Sequence, residues 1–146
     1  MLIASIPGGW CPQQAGTIRT QMPIDYVIAK ERRLVITTAS GRVTFNEFRV
    51  YHDRLVNDPN FDPEFNQLLD GTAVTLLDIT IDEAKKIIER KVFSAASRRA
   101  IVANRPDTFV ITRVAQNHLA ALNTPSRIHV FSDVPSALKW LDLESQ

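Results

Sequence analysis

Hydrophobic and polar positions in residues 22 to 143 switch between the two-residue repeat of strands and the nearly four-residue repeat of helices. Two stretches rich in β-branched residues, DYVIAK and RLVITTAS, come first, and only Glu31 and Arg32 separate them. So short a connection is typical of an antiparallel hairpin. We therefore expect the sheet to begin with two antiparallel strands.

The first two predicted helices each begin with a capping box, in which a threonine is followed three residues later by a glutamate. Thr44 and Glu47 form the first box, and Thr80 and Glu83 form the second. Apolar residues at helical spacing follow each box. In the first helix these are Phe45, Phe48, Tyr51 or His52, and Leu55; in the second they are Ile81, Ala84, Ile88 and Val92.

Two further helices also place apolar residues on one face. The third begins with a proline in its first turn, in PDTFVITRVAQNHLAAL, and the fourth has Asp133 as its N-cap. The predicted faces are Ile111, Ala115, His118 and Leu122 in the third helix, and Val134, Ala137, Leu138 and Leu141 in the fourth.

Three more segments are predicted to be strands: NQLLDGTAVT, taken as the third strand with its exit turn, then RRAIVAN and RIHVF. Strands that alternate with helices require right-handed crossovers and a mostly parallel sheet. The predicted fold is therefore α/β, with a mixed, mostly parallel sheet of about five strands, an N-terminal antiparallel hairpin and about four helices.

Length and composition favour one domain. The chain has 146 residues, of which 45% are hydrophobic and 23% charged, enough for a single core. We assign that domain to residues 22–146. Residues 1–21 show neither helical nor strand periodicity, so we expect them to form a disordered or loosely attached extension. A start of translation assigned too far upstream would explain such an extension.

Charge and cysteine content exclude several classes of function. The formal net charge is only +1, so no overall field would recruit nucleic acid. The single cysteine, Cys11, cannot form an internal disulfide or a cysteine-based zinc site, which favours a reducing, cytoplasmic location. No run approaches the roughly 18 apolar residues of a membrane span.

Motifs for catalysis or metal binding are missing from the sequence. The three histidines do not share metal-ligand spacing, and no phosphate-cradling glycine loop, G-x-S-x-G elbow or H-E-x-x-H helix occurs. Asp70 and Asp78 follow a strand and are conceivable as a carboxylate pair, but nothing supplies their partners. We therefore predict no metal, no cofactor and no enzymatic activity.

Four stretches in their order along the chain resemble the SpoIIAA-like proteins, relatives of the STAS domains of anti-sigma factor antagonists. They are GRVTFNEF at the first helix, DPNFDPEFNQLLD before the third strand, TRVAQ inside the third helix, and HVFSDVPSALKWL at the end. The resemblance covers residues 22 to 143. It implies a STAS-like fold and a non-catalytic bacterial module for regulation or binding.

In STAS regulators the turn before the second helix carries a phosphorylated serine that controls a protein partner. Asp78 falls in that register, and Thr80 is the only hydroxyl left there, so these two residues form a candidate switch turn. The competing interpretation, a plain helix cap, is favoured because Asp82 and Glu83 would repel a phosphate.

Residues 85–113 contain eight basic and only two acidic side chains. A solvated helix face explains part of this surplus. The alternative is a site for a small amphipathic anion or lipid, because arginines near a helix N-terminus can hold a carboxylate or phosphate. Its candidate residues are Arg105, Arg113, Arg99, Lys86 and Phe93.

The resemblance also bears on partners. The SpoIIAA-like fold resembles the lipid-carrying CRAL-TRIO domains, which implies an apolar cavity under a helix pair with a basic rim facing anionic membrane. In the third helix, Arg113 matches an arginine typical of the family, although Ala115 replaces the aromatic that often follows. We thus expect a small amphipathic ligand or peripheral membrane contact, a possible protein partner or homodimer, and no nucleic acid.

Overall fold

A computed structural model of the protein describes residues 22–123 and 127–144, in which five strands and four α-helices alternate. The strands are β1 (Ile24–Ala29), β2 (Leu34–Thr44), β3 (Asn66–Asp78), β4 (Arg98–Val102) and β5 (Arg127–Phe131). The helices are α1 (Phe45–Val56), α2 (Ile81–Glu89), α3 (Pro106–Ala121) and α4 (Val134–Glu144). The predicted N-terminal extension lies outside the described residues.

The strands form one mixed sheet in the order β1-β2-β3-β4-β5. β1 and β2 are antiparallel, and the other neighbouring pairs are parallel. A short 3-10 turn, Lys30–Arg32, joins β1 to β2, and Arg33 closes it in the left-handed region at φ 53°. The predicted α/β fold with its leading hairpin is therefore confirmed.

The two faces of the sheet carry different helices. Val35 belongs to a core that includes residues of α1 and α2, whereas its neighbour Ile36 belongs to a core that includes residues of α4. This alternation follows from the period-two geometry of a strand. α3 also packs on the first face, through Ile111. Three crossover helices thus cover one face, and α4 covers the other.

β3 is longer than predicted. It continues to Asp78 because β2 runs alongside it as far as the Thr44–Asp78 pair, with irregular register around Ser40 and Gly41. Gly71 therefore lies within the strand and is not part of an exit turn. A Cβ atom there would lie 3.1 Å from the carbonyl oxygen of Val102, so close approach to β4 accounts for this glycine.

The predicted apolar faces of α2 and α3 are partly wrong. Ile81 is 52% exposed, and Val92 is buried but lies beyond the end of α2. Leu122 is 51% exposed and lies beyond the end of α3. The buried residues of α3 are Thr108, Thr112, Ala115 and Leu119, of which Ala115 was predicted. Packing against the sheet, rather than hydropathy, sets the rotation of this helix.

Candidate functional site

A cavity of about 90 Å³ lies between the sheet and the three helices on its first face. Its walls are mostly apolar, with side chains from β2, β3, β4 and β5 on the sheet side and from α1, α2 and α3 opposite. The main apolar lining residues are Val43, Phe48, Leu69, Val74, Leu77, Ile79, Ile87, Ile88, Ile101, Ile111 and Ile128.

The cavity leaves side chains at the centre of the sheet only partly covered. Leu69 of β3 and Ile101 of β4 are cross-strand partners on central strands, and both line the cavity. Such positions are normally packed to native density, yet both side chains remain partly exposed. The helices therefore span this part of the sheet without filling it.

Polar contacts tie together the helices around the cavity. Arg90, which follows α2, places a guanidinium nitrogen 2.6 Å from a carboxylate oxygen of Asp53 in α1. His118 of α3 contacts the carboxylate of Glu89 in α2. His118, which the sequence placed on the apolar face of this helix, thus makes a specific contact between helices.

A chain of four polar side chains crosses one wall of the cavity. Arg99 Nε donates to Gln67 Oε1 at 3.2 Å, and Gln67 Nε2 donates to the Tyr51 hydroxyl oxygen at 2.8 Å. The hydroxyls of Tyr51 and Thr37 share a hydrogen bond of 2.7 Å. Burial raises the pKa of the Tyr51 phenol, so it stays protonated and can donate to Thr37 while it accepts from Gln67.

Replacing Tyr51 by phenylalanine is expected to lower the free energy of unfolding by about 2 kcal/mol, because two buried polar groups, Thr37 and Gln67, then lose a partner. Urea unfolding measures the loss. Tyr26→Phe is the matched control, since the Tyr26 hydroxyl bonds Asp58 in a more exposed setting and its loss should cost less. Equal losses in both variants would contradict a special role for the buried network.

His52 is the most isolated polar group of the site. It is 3% exposed, lines the cavity, and its Nδ1 has no hydrogen-bond partner among the described residues. Its ring lies 5.2 Å from that of Tyr51. Burial, together with the positive charges of Arg99 and Arg90, lowers the pKa of His52 to about 3. The imidazole is therefore neutral at physiological pH.

Among the described residues that line the cavity, only Arg99 is permanently charged. Its guanidinium carbon lies 5.0 Å from the centre of the Phe93 ring, a cation–π contact, and Phe93 in turn packs edge-on against Phe61 at 5.4 Å. Arg99 keeps some exposed surface, but burial still lowers the pKa of its guanidinium. Arg99 thus offers a partly buried positive charge that a molecule in the cavity can reach.

The structure brings together only part of the predicted anion site. Arg99 and Phe93 meet beside the cavity, but Lys86 and Arg113 are exposed and line no part of it. Arg105 already forms an ion pair with Asp107, in which its Nε lies 3.0 Å from a carboxylate oxygen. This hydrogen bond raises the pKa of Arg105 and lowers that of Asp107.

Sequence reasoning missed Gln67, Tyr51 and His52 as members of this site. A signal was present on the strands, because Gln67 and Arg99 occupy paired inward positions of β3 and β4. Two polar residues at such positions are unusual in a sheet covered on both faces. Their connection to Tyr51 depends on how α1 packs, which no local pattern reports.

The candidate switch turn is a helix start in the structure. Asp78 lies 2.6 Å from Arg42 in an exposed ion pair. The Thr80 hydroxyl accepts from the backbone N–H of Glu83 at 3.1 Å, and the Thr80 N–H donates to the Glu83 carboxylate at 2.9 Å. The predicted capping box is confirmed, and phosphorylation of Thr80 stays a prediction.

Thr80→Ala is expected to lower the free energy of unfolding by about 1 kcal/mol, because an N–H of the first turn of α2 loses its acceptor. Thermal or urea unfolding measures the change. Thr80→Ser keeps the hydroxyl and should restore most of the stability. A serine variant as weak as the alanine variant would show that the cap hydrogen bond is not the cause.

The two aspartates considered as a carboxylate pair are far apart along one strand. Asp70 lies inside β3, where its carboxylate accepts from the Thr72 N–H at 3.0 Å, while Asp78 ends that strand. Among the described residues, no group of three or more histidine, cysteine or acidic side chains is placed to hold a metal ion. Nor does that part of the chain contain a helix long and apolar enough to cross a membrane.

The fold is similar to that of a solved protein from Shewanella loihica, an uncharacterised member of the DUF3478 family with a SpoIIAA-like fold. The similarity has a TM-score of 0.51 at 22% sequence identity and covers 86% of this chain and 99% of the other. This chain has a SpoIIAA-like fold. No protein-family model and no curated protein matches the sequence. At this identity, the SpoIIAA-like likeness establishes the architecture alone.

Proposed function

We propose that this chain is a non-catalytic binding module that takes an apolar or amphipathic small molecule into the cavity beneath α2 and α3. One observation carries the proposal: an apolar cavity lies over the central strands, where a protein of this size normally packs its side chains closely. The SpoIIAA-like fold is compatible with such a role, since its helix layer covers one face of the sheet.

The energetics of the cavity favour a ligand. An unfilled apolar cavity of about 90 Å³ costs roughly 2 kcal/mol at about 24 cal/mol per Å³. A bound apolar group would recover this cost by restoring contacts to Leu69, Ile101, Ile87 and Ile111, which line the cavity. An engineered cavity of about 150 Å³ binds benzene, so the available space suits a small group or a short chain.

The polar side chains of the cavity support binding better than catalysis. His52 has a pKa of about 3, far below the value near 7 that suits a general base. Burial raises the pKa of Tyr51, which makes its phenol a weak nucleophile and a weak acid. Within the part of the chain that the structure describes, no acidic residue lines the cavity to orient or activate either group. These groups can recognise a ligand but are poorly tuned to transform one.

The proposal is tested by titrating the purified protein with 1-octanol and with octanoate while recording amide NMR spectra. Shifts are expected at cavity residues and not on the face covered by α4. Ala115→Phe should block binding, because Ala115 lines the cavity, whereas Ala120→Phe lies on the exposed side of the same helix and should not. The absence of cavity shifts with both compounds would overturn the proposal.

A further inference from the structure

The guanidinium of Arg99 carries a charge that nothing in the described residues neutralises. Within residues 22–123 and 127–144, Arg99 makes no ion pair, and its one hydrogen bond uses Nε toward Gln67. None of the described residues that line the cavity is acidic. The two terminal nitrogens, which form the outer edge of the planar fork, therefore remain available to a ligand.

Arg99 is partly buried, so its guanidinium loses part of its hydration without gaining an opposite charge among the described residues. Taking a charge out of water costs several kcal/mol unless an opposite charge and hydrogen bonds replace the water. Burial already lowers the pKa of Arg99, and the adjacent Phe93 ring offers only a partial substitute for an anion. A ligand that supplies a negative charge would remove this cost, so charge complementarity selects an anion.

A second unsatisfied group lies on the same cavity. The Nδ1 of His52 has no partner among the described residues, and Arg99 is close enough to lower the pKa of that ring. A neutral imidazole can place its proton on either nitrogen, so it can donate to an anion without carrying charge itself. Two groups beside the cavity, the terminal nitrogens of Arg99 and the Nδ1 of His52, thus have no hydrogen-bond partner among the described residues.

The groups beside the cavity, one guanidinium from Arg99 and one neutral imidazole from His52, favour a carboxylate over a phosphate. One guanidinium fork matches the two oxygens of one carboxylate. A phosphate would bring more charge and a third oxygen, and so would require a second cation. Arg90 is the other cation that influences His52, but it is already paired with Asp53 at 2.6 Å.

The rest of the cavity favours an aliphatic chain. Isoleucines of α2 and α3 line it, and the Thr112 hydroxyl donates to the Thr108 carbonyl oxygen at 2.9 Å, so it is already satisfied within the helix. Thr112 therefore adds to the apolar character of this wall. A ligand with a polar group at both ends would leave one of them unpaired here.

We propose that the cavity binds an aliphatic monocarboxylate with its carboxylate directed inward onto the terminal nitrogens of Arg99, beside His52, and its chain along the wall formed by α2 and α3. The inference rests on the proposed binding function and names its ligand class. Of the arginines that the sequence indicated as anion anchors, it keeps Arg99 and drops Arg105 and Arg113.

The experiment measures the affinity of octanoate, 1-octanol and octyl phosphate by calorimetry or NMR titration, for the wild-type protein and for Arg99→Met and Arg113→Met. Octanoate should bind the wild type most tightly. Arg99→Met should weaken octanoate by about 10- to 100-fold, because a charge-assisted hydrogen bond is lost. The same variant should leave 1-octanol unchanged, which also shows that the cavity is intact. Arg113→Met should change neither affinity.

The outcomes separate the two proposals. If 1-octanol binds but octanoate is no tighter, or if Arg99→Met weakens both equally, the carboxylate inference is overturned and the binding function stands. Tighter binding of octyl phosphate, or a loss confined to Arg113→Met, would overturn it in the same way. If no compound binds the wild type, the proposed function itself fails. A shift of the His52 ring signals with octanoate and not with 1-octanol would further support the inward carboxylate.

Discussion

Leu68→Ala is expected to lower the free energy of unfolding by about 3 kcal/mol, within the range of 2–5 kcal/mol observed for such truncations. Leu68 is fully buried on β3, in the core that Val102 and Leu138 also form beneath α4. Removing its side chain loses the transfer free energy of the deleted carbons and leaves a hole that a close-packed sheet and helix cannot fully close.

Urea unfolding of Leu68→Ala and Leu76→Ala provides the comparison. Leu76 lies on the same strand but is 48% exposed, so the same truncation there should change stability by no more than about 0.5 kcal/mol. The substitution is the same at both positions, and both positions lie in the same strand. A difference in stability between the two variants therefore reports the difference in burial. Similar losses at the two positions would mean that the α4 side of the sheet is not packed as described.

Lowering the pH from 7 to 5 is expected to reduce the free energy of unfolding by about 2 kcal/mol through His52 alone. The pKa of His52 falls from 6.5 to about 3 on folding, so the unfolded chain binds the proton more readily. This contribution to stability is complete above pH 6.5 and is lost as the pH falls from 6.5 toward 3. The groups that act on the ring are Arg99 and Arg90, which lower its pKa, and Asp53, which raises it.

The pH dependence is checked by urea unfolding between pH 5 and 7.5, above the range in which most carboxylates titrate. His52→Gln should remove most of the slope because it removes the titrating ring. His129→Gln is the control, since His129 is exposed and stacked on Trp140 at 4.6 Å. A slope that persists in His52→Gln, or disappears in His129→Gln, would contradict the assignment.

Much of the fold was predictable because its signals are local. The hairpin depends on the short connection after β1. Three of the helices begin after a capping residue, namely Thr44, Thr80 or Asp133, and each of these makes a hydrogen bond with the residue three positions further along the chain. Alternating strands and helices then leave few topologies open. The five-stranded sheet follows from these signals with little further information.

The length of β3 and the rotation of α3 were not predictable in the same way. Asp70 and Gly71 have the composition of a turn, but β3 continues through them, with a shift in its register against β2 between Asp70 and Ala73. Thr108 and Thr112 face inward, and Val110 faces outward, because helix rotation depends on the surface against which the helix packs. Hydropathy alone reports an average preference, which tertiary contacts override.

In the candidate site, too, the sequence predicted some features and only the tertiary structure decided others. A surplus of positive charge in residues 85–113 drew attention to Arg99 and Phe93, yet the sequence gives no distance between Arg99 and His52, which are 47 positions apart. Sequence patterning specifies the sheet, its helices and their caps, since each depends on neighbours within about one turn or one strand pair. Whether a basic side chain is paired, exposed or left alone in a cavity depends on which distant residues surround it. That arrangement, which isolates Arg99 from every described acid, arises only when three helices pack together over the sheet.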